Sequence, residues 1–185
     1  MSDQDVASLI LSEHDAFRRD FTALEGLEGE ALQQAWDRLA AQLEVHAAGE
    51  EAVFYPHVVR ELPDGGDDTA HALHDHDEIR AAAAAVAEQE AGSEAWWEAV
   101  RTAQQVNADH MAEEERDLLG QFKEQIGQEQ RDELGLAWLA FHEEHAGAEG
   151  LSGDPVGDPE DYVEAAQQER LPQEAAAQEV LEQMT

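Results

Sequence analysis

Six ionisable side chains stand where a helical repeat calls for apolar ones. His14, His46, Glu50, His76, His110 and Glu114 each fall on a stripe of residues spaced by threes and fours that is otherwise apolar. Burying so many ionisable groups without partners is strongly unfavourable, so something must compensate. Glu50 follows His46 by four positions and Glu114 follows His110 by four, which puts imidazole and carboxylate one turn apart on one helix face. The other two histidines share a local context, His14-Asp15-Ala16-Phe17-Arg18 against His76-Asp77-Glu78-Ile79-Arg80. The order His, then His-x3-Glu, therefore occurs twice, with 32 residues from His14 to His46 and 34 from His76 to His110. This is an internal duplication of a helical hairpin.

Four imidazoles and two carboxylates converging on one axis suit a pair of first-row metal ions that the carboxylates can bridge. Iron fits best, because mixed nitrogen and oxygen ligation leaves positions open for a diatomic ligand and tolerates two oxidation states. Manganese and zinc are less favoured, and magnesium and calcium, which prefer all-oxygen sites, do not fit. A ferritin-type centre would need Glu-x-x-His. None of the nine histidines has a glutamate three residues before it.

Long helices must position these residues. Periodicity, with sparse glycine and proline over the first 147 residues, places helices at about Asp3 to Leu24, Gly29 to Glu61, Asp67 to Ala91, Ser93 to Ile126 and Glu129 to Ala146. Pro63-Asp64-Gly65-Gly66 ends the second, Gly92 with Ser93 separates the third from the fourth, and Gly127 ends the fourth. No segment alternates with period two. The expected class is all-α, an antiparallel up-down four-helix bundle with an additional C-terminal helix in residues 1–147. Residues 148–185, opening with a stretch rich in Gly, Asp and Pro, read as an acidic, partly mobile tail.

Taken together, His14, His46-Ala-Ala-Gly-Glu50-Glu51-Ala-Val-Phe-Tyr-Pro56, His76 and His110-Met-Ala-Glu-Glu114-Glu115 resemble the hemerythrin-like (HHE cation-binding) domain over residues 3 to about 126. The resemblance implies a four-helix bundle around two non-haem Fe ions that bind O2, peroxide or nitric oxide, or that are simply held. The pattern departs from the O2-carrying hemerythrins at one point. Those have His-x3-His on the third helix, and here the position four after His76 is Arg80. One imidazole fewer favours catalase- or peroxidase-like turnover, as in bacterial members linked to peroxide or nitric oxide, over reversible O2 carriage or sensing.

Other candidates carry blander readings. Glu51, Glu113 and Glu115 adjoin the chosen carboxylates and stand open between ligand and solvated acid. His57, one turn beyond Pro56, fits a helix cap or inter-helix hydrogen bond better than a role beside the metals, and Pro56 should loosen the helix there. His142 and His145 are spaced three apart but lack matching partners, so a packed or solvated face is expected. Tyr55 either offers a phenol to the site or lines the bundle wall, and Trp36, Trp96, Trp97 and Trp138 are expected in the core.

Composition bounds the partners. With 10 basic and 44 acidic residues the 185-residue chain carries a formal charge of −34, which repels nucleic acid and anionic membranes. Of the ten basic residues only Lys123 is a lysine. Such a surface holds water and cations in salt-adapted proteins, and a GC-rich genome with an ordinary acidic surface explains it equally well. Cysteine is absent, which removes disulfides and thiolate chemistry. The first residues lack the basic and apolar regions of a secretory signal, so a cytoplasmic location is expected.

Overall fold

A computed structural model describes residues 5–168. Among them there is no strand. Helix α1 (Val6–Leu24) starts at Asp5, whose carboxylate accepts the Ala7 amide N–H at 3.0 Å. Helix α2 (Gly29–Gly49) runs into a π-helical turn, Glu50–Phe54, and then α3 (Tyr55–Glu61). The second hairpin repeats this plan: α4 (Gly65–Ala87), α5 (Glu94–Glu113), a π-helical turn at Glu114–Leu118, and α6 (Leu119–Gln125). Ser93 caps α5 by accepting the Trp96 amide N–H at 3.1 Å. Helix α7 (Gln128–Glu144) is the additional helix, and α8 (Pro159–Gln168) follows an irregular acidic segment.

The partners in each hairpin, α1 with α2 and α4 with α5, lie side by side, and α7 packs across α1 and α2. Between the hairpins the chain passes very close to itself. A Cβ on Gly65 would stand 2.0 Å from the Val58 carbonyl oxygen, so only glycine fits at the start of α4. No described helix is long and apolar enough to cross a membrane.

One feature differs from the sequence expectation. The long second and fourth helices are each interrupted by a π-helical turn, in which one extra residue shifts the hydrogen bonding. Pro56 lies just beyond the first turn, where loosening is expected, but proline is not required for it, because the same turn forms at Glu114–Leu118 without one. The tail is described in part. Its described part includes α8, packed on α3 and α4, whereas residues 169–185 lie outside the described residues, as does Asp3.

Helix α8 meets the first π turn directly. There the Tyr55 N–H is donated to the Glu50 carbonyl, and the next residue, Pro56, has no N–H to offer the Glu51 carbonyl. The Tyr162 hydroxyl donates to that carbonyl oxygen at 2.5 Å.

Apolar side chains gather in two clusters along the bundle. One joins Val6, Ile10, Phe54, Tyr55, Leu118, Phe122 and Trp138, and the other joins Phe17, Phe21, Trp36, Leu43, Trp96 and Val100. Trp36, Trp96 and Trp138 are buried, and Trp97 packs partly buried against Trp96. On α1 the apolar stripe passes from Ile10 in one cluster to Phe17 in the other, with His14 between them. The polar residues thus occupy a layer between two apolar plugs.

Candidate metal centre

All six residues singled out by the helical repeat are buried, none more than 4% exposed. They meet in two adjoining sets. His14, His46, Glu50 and Glu114 bring one ligand atom each to within 4.8 Å of one another, and so do Glu50, His76 and His110. Glu50 belongs to both sets. Its Oε1 lies 3.1 Å from His46 Nε2, while its Oε2 lies 3.0 Å from His76 Nε2 and 3.8 Å from His110 Nε2. Glu114 stays with the first set, its Oε2 3.3 Å from His14 Nε2. The two glutamates open the two π turns, and the local widening re-aims the helix at these positions.

Each imidazole is held from behind. Nδ1 of His14 donates to Glu115 at 2.9 Å, Nδ1 of His46 to Glu13 at 2.8 Å, and Nδ1 of His76 to Glu51 at 2.8 Å. His110 Nδ1 lies 3.4 Å from Asp75. A carboxylate on Nδ1 fixes the proton there and turns the Nε2 lone pair inward, as in carboxylate–histidine–metal arrays. Two arginines extend the pattern. Arg18 donates to Glu115 at 2.7 Å, and Arg80 donates twice to Glu51, at 2.9 and 3.0 Å, and also to Glu44 at 3.0 Å. Arg80, at the position where a fifth imidazole would stand, therefore braces a carboxylate and adds no donor to the centre.

Several inward atoms have no hydrogen-bond partner: Glu50 Oε1, His110 Nε2 and both oxygens of Glu114. His14 and His46 bring their Nε2 atoms to 3.2 Å, a spacing at which two imidazoles share a proton or a cation. Orphaned buried acceptors and converging ring nitrogens could hold a metal ion. Without a cation, protons take that role. Burial opposes charge on the His46 ring, but Glu50 and Glu13 outweigh it and lift its pKa to about 10. His110 is lifted to about 10 against burial by Asp75 and the Glu50 and Glu114 charges. Glu50, although buried, is held well below the usual carboxylate range by His46 and its other imidazole neighbours.

Tyr55 sits at the second set. Its hydroxyl lies 3.3 Å from Glu50 Oε2 and 3.4 Å from His76 Nε2, and burial together with the Glu50 charge pushes its pKa well up. The other histidines do other things. His57 donates to Glu61 at 3.0 Å within α3, and His142 packs at a tilt on Trp138 with ring centroids 4.6 Å apart. His145 packs on Phe141 and donates to the Glu149 carbonyl at 2.9 Å. Glu51 and Glu115, open between two readings on sequence, hold histidines, and Glu113 faces outward toward His71 at 3.0 Å. Glu13 and Asp75 escape a reading of the apolar stripes because each only precedes a stripe histidine. The duplication carries the missing signal, since an acid precedes His14 and His76 in both copies.

A family model described as Hemerythrin HHE cation binding domain matches residues 5–122. No curated protein and no solved structure matches the chain.

Proposed function

Because the chain belongs to the hemerythrin HHE cation-binding family, we propose that it is a non-haem di-iron protein acting on peroxide, nitric oxide or O2, with catalase- or peroxidase-like turnover as its activity. His14, His46, Glu114 and Glu50 would hold one ion, and His76, His110 and the second oxygen of Glu50 the other. The observation that carries this reading is the division of Glu50 between two histidine sets, one oxygen to each. Two adjacent irons, when bound, would give up one electron each and take one back each, which matches two-electron reduction of one peroxide to water and two-electron oxidation of a second to O2.

The chain's own residues do the rest. Glu13, Glu51, Asp75 and Glu115 keep the imidazole protons on Nδ1 and fix the four rings. Tyr55 keeps its hydroxyl proton beside Glu50, where it serves as a hydrogen-bond donor at the site. The apolar clusters above and below close those two ends of the polar layer to water. With Arg80 turned to Glu44 and Glu51, the donor set holds four imidazoles and two carboxylates and no fifth imidazole, which supports redox turnover over reversible carriage.

Anaerobic reconstitution with ferrous iron, followed by metal analysis and visible spectra under O2 and then peroxide, tests this reading. Two irons per chain and sustained O2 release from peroxide are expected. A reversible spectrum without turnover would instead make the protein a carrier or sensor, and iron that leaves readily to a chelator without turnover would make it an iron-holding protein. Fewer than one iron per chain, or iron content unchanged in His46→Ala and His110→Ala, overturns the assignment of the site.

A further inference from the structure

The two copies of the hairpin are alike at the centre and opposite at the surface beside it. In the first copy Val6, Leu9, Gly49 and Val53 flank the site, and they lie buried or partly buried under α7. Trp138 closes this side, donating its indole N–H to Glu13 at 2.8 Å, and a Cβ on Gly49 would meet its ring at 3.2 Å. The equivalent positions in the second copy are Asp68, His71, Glu113 and Asp117. There no helix among the described residues covers the site, and these residues line a pocket of about 80 Å³. That volume accepts an ion with about two waters, at about 30 Å³ per water.

Inside this pocket lie His110 and Glu114, both buried, with His110 Nε2 and both Glu114 oxygens lacking hydrogen-bond partners. Further out, His71, Asp75 and Glu113 each bring a ligand atom to within 4.8 Å of the others. Asp75 connects the two levels, since it also faces Nδ1 of His110 at 3.4 Å. Partial burial and the nearby Asp64, Asp117 and Asp67 push the Asp68 carboxyl up, the mark of crowded negative charge. Such a field concentrates cations. A larger pocket beside Glu13 and His142 reaches none of the six central residues.

We propose that His71, Asp75 and Glu113 form a third, weaker divalent-cation site, and that cations enter the di-metal centre through it. The inference rests on the reading of the centre given above, and its test separates the two. Zn2+ is titrated calorimetrically into the full-length metal-free protein, the doubly substituted His71→Ala/Glu113→Gln protein and His46→Ala. Uptake of Fe2+ is followed anaerobically by chelator quench. The parent should show a tight class of sites and one weaker equivalent. The double variant, altered only at outward-facing side chains, should lose the weaker equivalent, keep the tight class, and load iron about tenfold more slowly to the same final content. His46→Ala should do the reverse, losing tight binding and keeping the weak site. A weak equivalent that survives in the double variant, or loading within about twofold of the parent, overturns the proposal. Absence of the tight class in the parent would overturn the di-metal reading, while the weak class would still decide the outer site.

Discussion

Glu51 accepts the Nδ1 proton of His76 at 2.8 Å, and the two residues belong to different copies of the duplicated hairpin. The partner relationship is repeated with the copies exchanged, Glu115 of the second holding His14 of the first. If these bonds orient the rings, Glu51→Ala frees both His76 and Arg80 and should weaken metal binding about 10- to 100-fold while leaving two sites per chain. Competition against a chelator of known affinity measures this, and unchanged affinity would remove Glu51 from the account.

Proton linkage gives a second expectation. His46 and His110 lie near pKa 10 in the metal-free fold against an ordinary 6.5, so both are charged at neutral pH and must release protons to ligate. Metal uptake should therefore release protons and weaken as pH falls, which titration in buffers of different ionisation enthalpy reads directly. The same shifts act on stability. A pKa raised on folding contributes fully below 6.5, and that contribution is lost as pH rises through about 10. The melting temperature of the metal-free protein should fall across that interval, and a flat profile would contradict the charged His46–Glu50 pair.

Tyr162→Phe keeps the ring and removes the hydroxyl that satisfies the Glu51 carbonyl. Leaving a fully buried acceptor unsatisfied costs about 1–3 kcal/mol, and this part-buried one should cost about 1 kcal/mol, the low end. In a chain of this size that lowers the melting temperature by roughly 2–4 °C per kcal/mol. The variant should also bind metal more weakly than the parent, because Glu51 and Glu50 share the turn that Tyr162 supports. A loss of stability with full metal affinity would separate the tail from the centre.

A formal charge of −34 should make stability depend on salt. Even two ferric ions leave most of that charge uncompensated, so self-repulsion opposes the fold at low ionic strength. The Debye length falls from about 30 Å at 0.01 M to about 3 Å at 1 M salt. A steep rise of melting temperature over that range is expected, and sodium chloride titration with thermal melting checks it.

A polar residue on an apolar stripe is visible in one sequence, which is why His14, His46, Glu50, His76, His110 and Glu114 could be named from their spacing. Their division into two sets sharing Glu50 could not, because it depends on where each helix is rotated about its axis. The π turns were equally hidden. One extra residue per turn leaves composition and the three-four alternation almost untouched, and the one suggestive residue, Pro56, is present in only one of the two copies. Helix α8 carries little apolar surface and owes its docking to particular contacts, among them Tyr162 with Glu51 and Arg60 with the Ala166 carbonyl at 3.2 Å. Pairings between residues more than a hundred positions apart leave no local pattern to read.

The crossed bonds between the copies also bear on how such a centre arises. One hairpin alone offers two imidazoles and a glutamate, but Glu51 has no His76 to orient and His14 has no Glu115 behind it. The smallest unit in which every ring is braced is a pair of hairpins facing each other, each lending the other an acid. Two identical hairpins associating about a two-fold axis would meet that condition before any fusion joined them. In one chain the two copies need not be identical, and here Val6, Leu9, Gly49 and Val53 form a wall where Asp68, His71, Glu113 and Asp117 line an opening. A symmetric ancestor would have had two openings or none.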